Sequence, residues 1–327
     1  MSFTRRHFLA TSGAAAAVAG WPGLAFAQGI ETARVLCGFP AGGTTDAVSR
    51  RVADKLRGGY AKVALVENKP GAGGRIAVEE LRRSAPDGAT LLLTPAAMIT
   101  LYPHLYTKLT YGIDDVTPVC TGGTIAFGFG VGPGVPESVK NIKDFLAWAK
   151  ANPTLANYGS PGAGSPPHFL GALLAKESGI DLGHVPYRGS APGIQDLLGG
   201  QVASFSSPVG DYLPYLASGK LRLLATSGAT RSRFAPEAAT YTEQGYKALE
   251  MNEWYGFFLP GKAAPDVVER AAAAIRAAVA SPDVIDAFAQ LGVEAGANTP
   301  AELARAVKQE NAAWGPIVKR VGFTPEA

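Results

Sequence analysis

Apolar and polar positions along this chain alternate in two repeating sets. The first begins with Ala33–Phe39, an apolar run of strand length. Asp46–Arg57 follows, with apolar residues at helical spacing until Gly58-Gly59 stops them. Lys62–Val66 reads as a strand, Pro70-Gly71-Ala72-Gly73-Gly74 as a turn, Arg75–Ser84 as a helix and Thr90–Thr94 as a strand. This βαβαβ order predicts a parallel sheet with helices on both faces. Such sheets take ligands at the carboxyl ends of their strands, so loops 39–46, 67–74 and 94–100 should share one edge.

Val116–Val131 is a long strand-like run with Gly128, Gly130 and Gly132 near its end, and reads as a crossover. A second set follows. Asn141–Ala151 is a helix with Ile142, Phe145, Leu146 and Ala149 on one face. Asn157–Gly159, His184–Tyr187, Val202–Ser206 and Leu221–Thr226 read as strands. Pro166–Ser178, Ala191–Leu198 and Val209–Leu216 read as helices between them. Leu249–Leu259 is a second extended run, the return crossover. Helices at Asp266–Ala280, Pro282–Leu291 and Pro300–Arg320 make a helical tail. The pattern predicts an α/β protein of two doubly wound lobes: 28–127 with 256–327, and 128–255. Two chain crossings between lobes make a hinge over a cleft.

The first 27 residues stand apart from this pattern. Thr4-Arg5-Arg6-His7-Phe8-Leu9 carries twin arginines, Ala10–Gly20 is a run of small apolar residues, and Ala25-Phe26-Ala27 precedes Gln28 as a cleavage site. That order is a Tat-type export signal cut between Ala27 and Gln28, which predicts a periplasmic protein. Its apolar run is too short and too rich in alanine and glycine for a membrane anchor. The charge, 30 basic against 27 acidic side chains, lacks the excess a nucleic-acid surface needs. Cys37 and Cys120 sit in apolar runs. An oxidising compartment permits a bridge, but two buried small hydrophobes is the favoured reading. Neither they nor His104 and His184 have the spacing of a metal site, and no cofactor is expected.

The candidate chemistry lies where strands end and helices begin. Gly38-Phe39-Pro40-Ala41-Gly42-Gly43-Thr44-Thr45-Asp46 joins a strand to a helix through glycines. Unpaired N–H groups at a helix start, with the helix dipole behind them, form a socket for an anion such as a carboxylate. Asp46 would orient this loop rather than face an anionic ligand. In the second lobe Ser165 and Ser190 are N-cap candidates and Ser206-Ser207-Pro208 a third helix start. His168 either donates to a ligand or caps and packs. Arg188 either forks a carboxylate or points to solvent, in which case Tyr187 lines the cleft. Trp254 is assigned to the hinge core, and Tyr255 either to that core or to the cleft wall. A hydrolase would need a nucleophile elbow, and Gly159-Ser160-Pro161-Gly162 lacks its spacing. The glycine turns lack both nucleotide-binding orders.

FPAGGTTD, VENKPGAGG, NYGSPGAG followed by His168, HVPYRGSAPGIQDLLGGQV and SGKLRLLATS, in that order, resemble the Bug (TctC-like) family. These are periplasmic solute-binding receptors of tripartite tricarboxylate transporters. The resemblance implies a type II periplasmic-binding-protein fold, no enzymatic activity, a monomer, and delivery of a small carboxylate to one large and one small membrane subunit. A sensor that docks on a membrane histidine kinase is the alternative. Carried over residue by residue, the resemblance implies a carboxylate held by Phe39 and by Ala41, Gly42, Gly43, Thr44, Thr45 and Asp46. Pro95 and Ala96 would flank it. The distal end would meet Ser160, Ala163, Gly164, Ser165, His168, Tyr187, Ser190, Ala191 and Ser207. Two departures stand out. The loop Pro95-Ala96-Ala97-Met98-Ile99 is apolar where relatives often carry polar residues, and Ser207 stands where relatives often have Asp. Together they lead to the expectation of a carboxylate with an apolar or aromatic body and no essential amine.

Overall fold

A computed structural model describes residues 29–323; the export signal and its cleavage site lie outside the described residues. The first lobe opens with β1 (Ile30–Cys37), α1 (Thr44–Leu56), β2 (Ala61–Asn68), α2 (Arg75–Arg83), β3 (Thr90–Pro95) and the short α3 (Ala97–Thr100). β1 lies between β2 and β3, parallel to both. Side chains alternate between the two faces, as strand geometry demands. Val35, Leu91, Leu93 and Phe257 join one apolar core with Val48 and Val52 of α1. Leu36, Leu92 and Phe258 join the other with Ala77, Val78 and Leu81 of α2. Both faces are therefore covered, which explains why these strands read as continuous apolar runs. Each fully buried Phe or Leu contributes roughly 1.5–3 kcal/mol.

β4 (Val116–Val131) belongs to both lobes. Its residues 116–126 pair antiparallel with β9 (Asn252–Pro260). Its residues 127–131 pair with β7 (Ser204–Pro208) and, over 128–131, with β8 (Arg222–Thr226). The second lobe runs α4 (Ile142–Ala151), β5 (Asn157–Ser160), α5 (Pro166–Ser178), β6 (Gly183–Pro186), α6 (Ser190–Leu198), β7, a 3-10 turn at Val209–Asp211, α7 (Leu213–Leu216) and β8. β5 is parallel to β6 and β7. The full order is β2-β1-β3-β9-β4-β7-β5-β6, one curled sheet through both lobes. The tail holds α8 (Pro265–Val279), α9 (Pro282–Gln290), β10 (Glu294–Ala295) and α10 (Pro300–Val321). A capping box starts α10: Thr299 Oγ1 accepts from the Glu302 N–H, and Glu302 Oε2 accepts from the Thr299 N–H at 2.8 Å. The far end of α10 reaches the other lobe, where Trp314 packs on Phe169 and Arg320 pairs with Glu177.

Two details depart from the sequence reading. β9 pairs with β3 and with the first-lobe part of β4, so the return crossing is the stretch ahead of it. There Ser227 ties both crossings together. Its N–H donates to Phe127 O, its carbonyl accepts from the Met251 N–H, and its Oγ accepts from the Phe127 N–H while donating to Met251 O. Second, Val209–Leu216 is not one helix but a 3-10 turn followed by a single α turn, because Pro214 removes a donor just where a helix would propagate. Cys37 and Cys120, by contrast, are free and buried, as the favoured reading has them. Burial pushes both thiols up, Cys120 to about 12.

Candidate functional site

Loop 38–46 turns at Gly42, whose φ of +90° suits a residue without Cβ. Gly38 fits because a Cβ there would stand 2.8 Å from Gly74 Cα, so the first two loops touch backbone to backbone. Helix α1 begins at Thr44 with Gly43 as N-cap and no side-chain cap bond. Ala41, Gly42 and Gly43 are exposed, while Thr45 and Asp46 are buried. Phe39 is half-buried, its ring beside Gly74.

The Asp46 carboxylate faces inward. Oδ2 accepts from the Gly42 N–H at 2.9 Å and from Arg50 Nε at 2.9 Å, while Oδ1 accepts from Asn68 Nδ2 at 2.8 Å. Burial opposes its charge, but Arg50, Gly42 and Asn68 outweigh it and hold the carboxyl below the ordinary range. Asp46 thus fixes the loop and consumes the Gly42 donor. The helix's first N–H groups receive no side-chain cap bond.

The other first-lobe loop is less available than its sequence implies. Pro95, Ala96, Ala97, Met98 and Ile99 are all buried. Ala96 to Ile99 pack into the lobe's own core with Trp254 and Phe258, which accounts for the loop's apolar character without a ligand. Glu253 of β9, missed in the sequence, secures it: Oε1 accepts from the Ala97 N–H at 3.0 Å. Burial raises this carboxyl to about 8, against the Ala97 bond and with the help of nearby Glu310. Trp254 is 7 % exposed and donates from Nε1 to Glu310.

In the second lobe the loops after β5 and β6 are joined: the Tyr187 N–H donates to Ser160 O and the Gly189 N–H to Pro161 O, both at 2.9 Å. Ser165 caps α5, accepting from the His168 N–H at 3.4 Å. Ser190 is not a cap. Helix α6 starts on it, with Gly189 as N-cap. His168 Nδ1 accepts from the Gly164 N–H at 3.0 Å, so its proton sits on Nε2. Its ring stacks on His184 with centroids 3.9 Å apart, and His184 Nε2 lies 2.8 Å from Ser160 Oγ. Burial lowers His168 to about 4 and, with the His168 ring adding to it, His184 to about 3. Both rings are neutral at pH 7. The half-buried Tyr187 donates its hydroxyl to Asp196 Oδ2 at 2.9 Å. Arg188 is exposed with no hydrogen bond or ion pair among the described residues.

Two further residues bear on how the lobes meet. The Tyr255 hydroxyl is buried and pushed up by that burial. The Glu253 carboxyl adds to the rise, the Thr45 side chain opposes it and Asp211 adds to it more weakly. Gly164 lies against Leu105 of the first lobe, where a Cβ would stand 3.0 Å from Cδ1. Asp211 was missed in the sequence because the apolar period carried a helix across it. The signal was present: a lone acid shortly after Ser206-Ser207-Pro208, where a strand meets a turn. Ser207 itself carries no charge, but Asp211 brings a carboxyl beside it, so the premise against an amine does not hold.

The family model described as tripartite tricarboxylate transporter family receptor matches residues 48–323. The chain belongs to this receptor family. The receptor is 33% identical over 298 residues to a Cupriavidus necator protein named UPF0065 protein in gbd 5′ region, covering 89% of each chain. It is similar to the solved periplasmic binding protein BugD, with 29% identity, a TM-score of 0.81 and coverage of 90% of this chain and 99% of that one. It is also similar to Rhodopseudomonas palustris Rpa4515, solved with adipate, with 26% identity, a TM-score of 0.82 and coverage of 94% and 100%. The family is one of periplasmic solute-binding receptors, not of enzymes. Among the described residues no helix is long and apolar enough to cross a membrane.

Proposed function

We propose that this receptor captures an organic carboxylate between its lobes and delivers it to the membrane subunits of a tripartite tricarboxylate transporter. The observation that carries the reading is the socket at 41–46: an uncapped helix start whose loop is tied from behind by Asp46. The free N–H groups and the helix dipole favour an anion there, and a carboxylate fits two adjacent donors. The adipate of the Rpa4515 structure supports the same chemistry. Loops 160–165 and 187–191, with Ser207, would close on the ligand's far end, and Pro95 with Ala96 would flank it. Export with cleavage after Ala27 completes the reading; mass spectrometry of secreted protein should find Gln28 at its N-terminus.

The test is the occupant. Mass spectrometry of the ligand released from protein purified under native conditions should find an organic acid. A neutral sugar or an uncharged peptide in its place would overturn the proposal.

A further inference from the structure

The strongest unexplained chemistry lies at the second lobe's carboxyl edge, where β7 ends, the 3-10 turn follows and α6 begins. Ser207 is fully buried and its Oγ has no hydrogen-bond partner among the described residues. Asp211 Oδ2 is sealed from solvent and equally unpartnered. The Ser190 and Ser207 hydroxyls stand beside this carboxyl and favour its charged form, but neither closes a hydrogen bond to Oδ2. No basic side chain pairs with it among the described residues. The titratable groups that feel its charge are the phenols of Tyr212 on its own segment and Tyr255 on β9.

The carboxyl cannot easily turn away. Tyr212, the next residue, is buried and donates its hydroxyl to Phe205 O at 2.6 Å, clamping the turn to β7. Folded proteins pair nearly all buried polar groups, because an unmade bond forfeits the group's hydration without return. Two acceptor-bearing groups left open at one sheet edge, facing the Tyr255 phenol that also neighbours Thr45 of the socket, point to a partner that arrives from outside.

We propose that Asp211 and Ser207 form a hydrogen-bond-accepting pole that selects carboxylates whose far end carries a donor, a hydroxyl or an ammonium, and rejects a second ionised carboxylate. This rests on the carboxylate reading above and adds the identity of the other end. The physical reason is local. A donor satisfies Oδ2 and, if cationic, gains Coulomb attraction in a poorly hydrated site, whereas a carboxylate meets like charge there. Burial raises the Asp211 carboxyl to about 6, so the rejection should weaken in mild acid.

Calorimetric titration with three probes alike except at one end tests this: adipate, 6-hydroxyhexanoate and 6-aminohexanoate. At about pH 8 the wild-type protein should bind a donor-ended probe at least about tenfold more tightly than adipate. Which of the two donor-ended acids binds better distinguishes hydroxyl from ammonium. Asp211→Asn and Asp211→Ser should each narrow the preference about tenfold, with a melting transition retained as the check on folding. If both variants fail to fold, the wild type decides alone: its preference should narrow between about pH 8 and pH 5.5. Adipate bound as tightly as the donor-ended acids at the higher pH overturns the proposal and leaves the carboxylate reading intact. So does a folded variant that keeps the preference. Failure of all three probes to bind overturns both.

Discussion

Asp46 and the His168–His184 pair show how much of the site's polar chemistry is directed at the protein itself. Asp46→Ala would leave the Gly42 N–H and the Asn68 amide without their acceptor, at a cost of about 1–3 kcal/mol. Thermal melting should record the loss. Because its folded pKa is lowered, the wild-type contribution is complete above the unfolded carboxylate value of about 4 and disappears as pH falls through the folded one. The melting point of the Ala variant should therefore converge on the wild type in strong acid. The stacked imidazoles act in the same direction over a different window. Their folded values, about 4 and about 3, lie below the unfolded value of about 6.5, so their stability is complete above that pH and fades as pH drops toward the folded values. Each should remove up to about 1.4 kcal/mol per pH unit within the window. His184→Gln should flatten the slope, and an unchanged slope would refute neutral stacking. Asp46's role was legible because an acid at a helix start, four residues after a glycine turn, has nearby N–H groups to take. That of His184 was not: its partners Ser160 and His168 come from other elements.

Elements were easier to read than their ends. The run Val116–Val131 and the helix Pro166–Ser178 coincide with β4 and α5, since glycine, proline and a serine cap punctuate them. Helix α1 begins two residues earlier than its apolar period indicates, at Thr44, so its first turn starts directly on the exposed glycines of the loop. Gly43 has an ordinary φ of −79°, and a Cβ there would come no nearer than 3.7 Å, to Pro40 O. Gly43→Leu should therefore fold with an almost unchanged melting point while blocking the anion's approach. Affinity for the native ligand should fall by about a hundredfold or more, as expected when bulk replaces a backbone–anion contact. An unchanged titration would remove the socket from the binding mechanism. The 209–216 segment was misread because hydrophobic period cannot distinguish one helix from a 3-10 turn and a single α turn in succession.

At the scale of the molecule, the two crossings meet at Ser227, which is fully buried. Ser227→Ala should strand the Phe127 N–H and one acceptor on Met251, lowering stability by about 1–3 kcal/mol. It should also loosen the hinge, so solution scattering should show a larger radius for the ligand-free variant than for ligand-free wild type. Two lobes were readable from the repeated strand–helix sets, whereas the single sheet that β4 carries through both was not, because no local pattern records which neighbour a strand will take. That sharing carries a consequence for the order of assembly. Every strand of the second lobe's sheet, from β4 through β8, is complete in the chain by residue 226. The first lobe must hold β1–β3 open until β9 arrives to fill the gap between β3 and β4. A chain truncated near residue 245 and released should accordingly contain a protease-resistant second lobe attached to a first lobe that is still digestible, the lobe begun first being the one completed last.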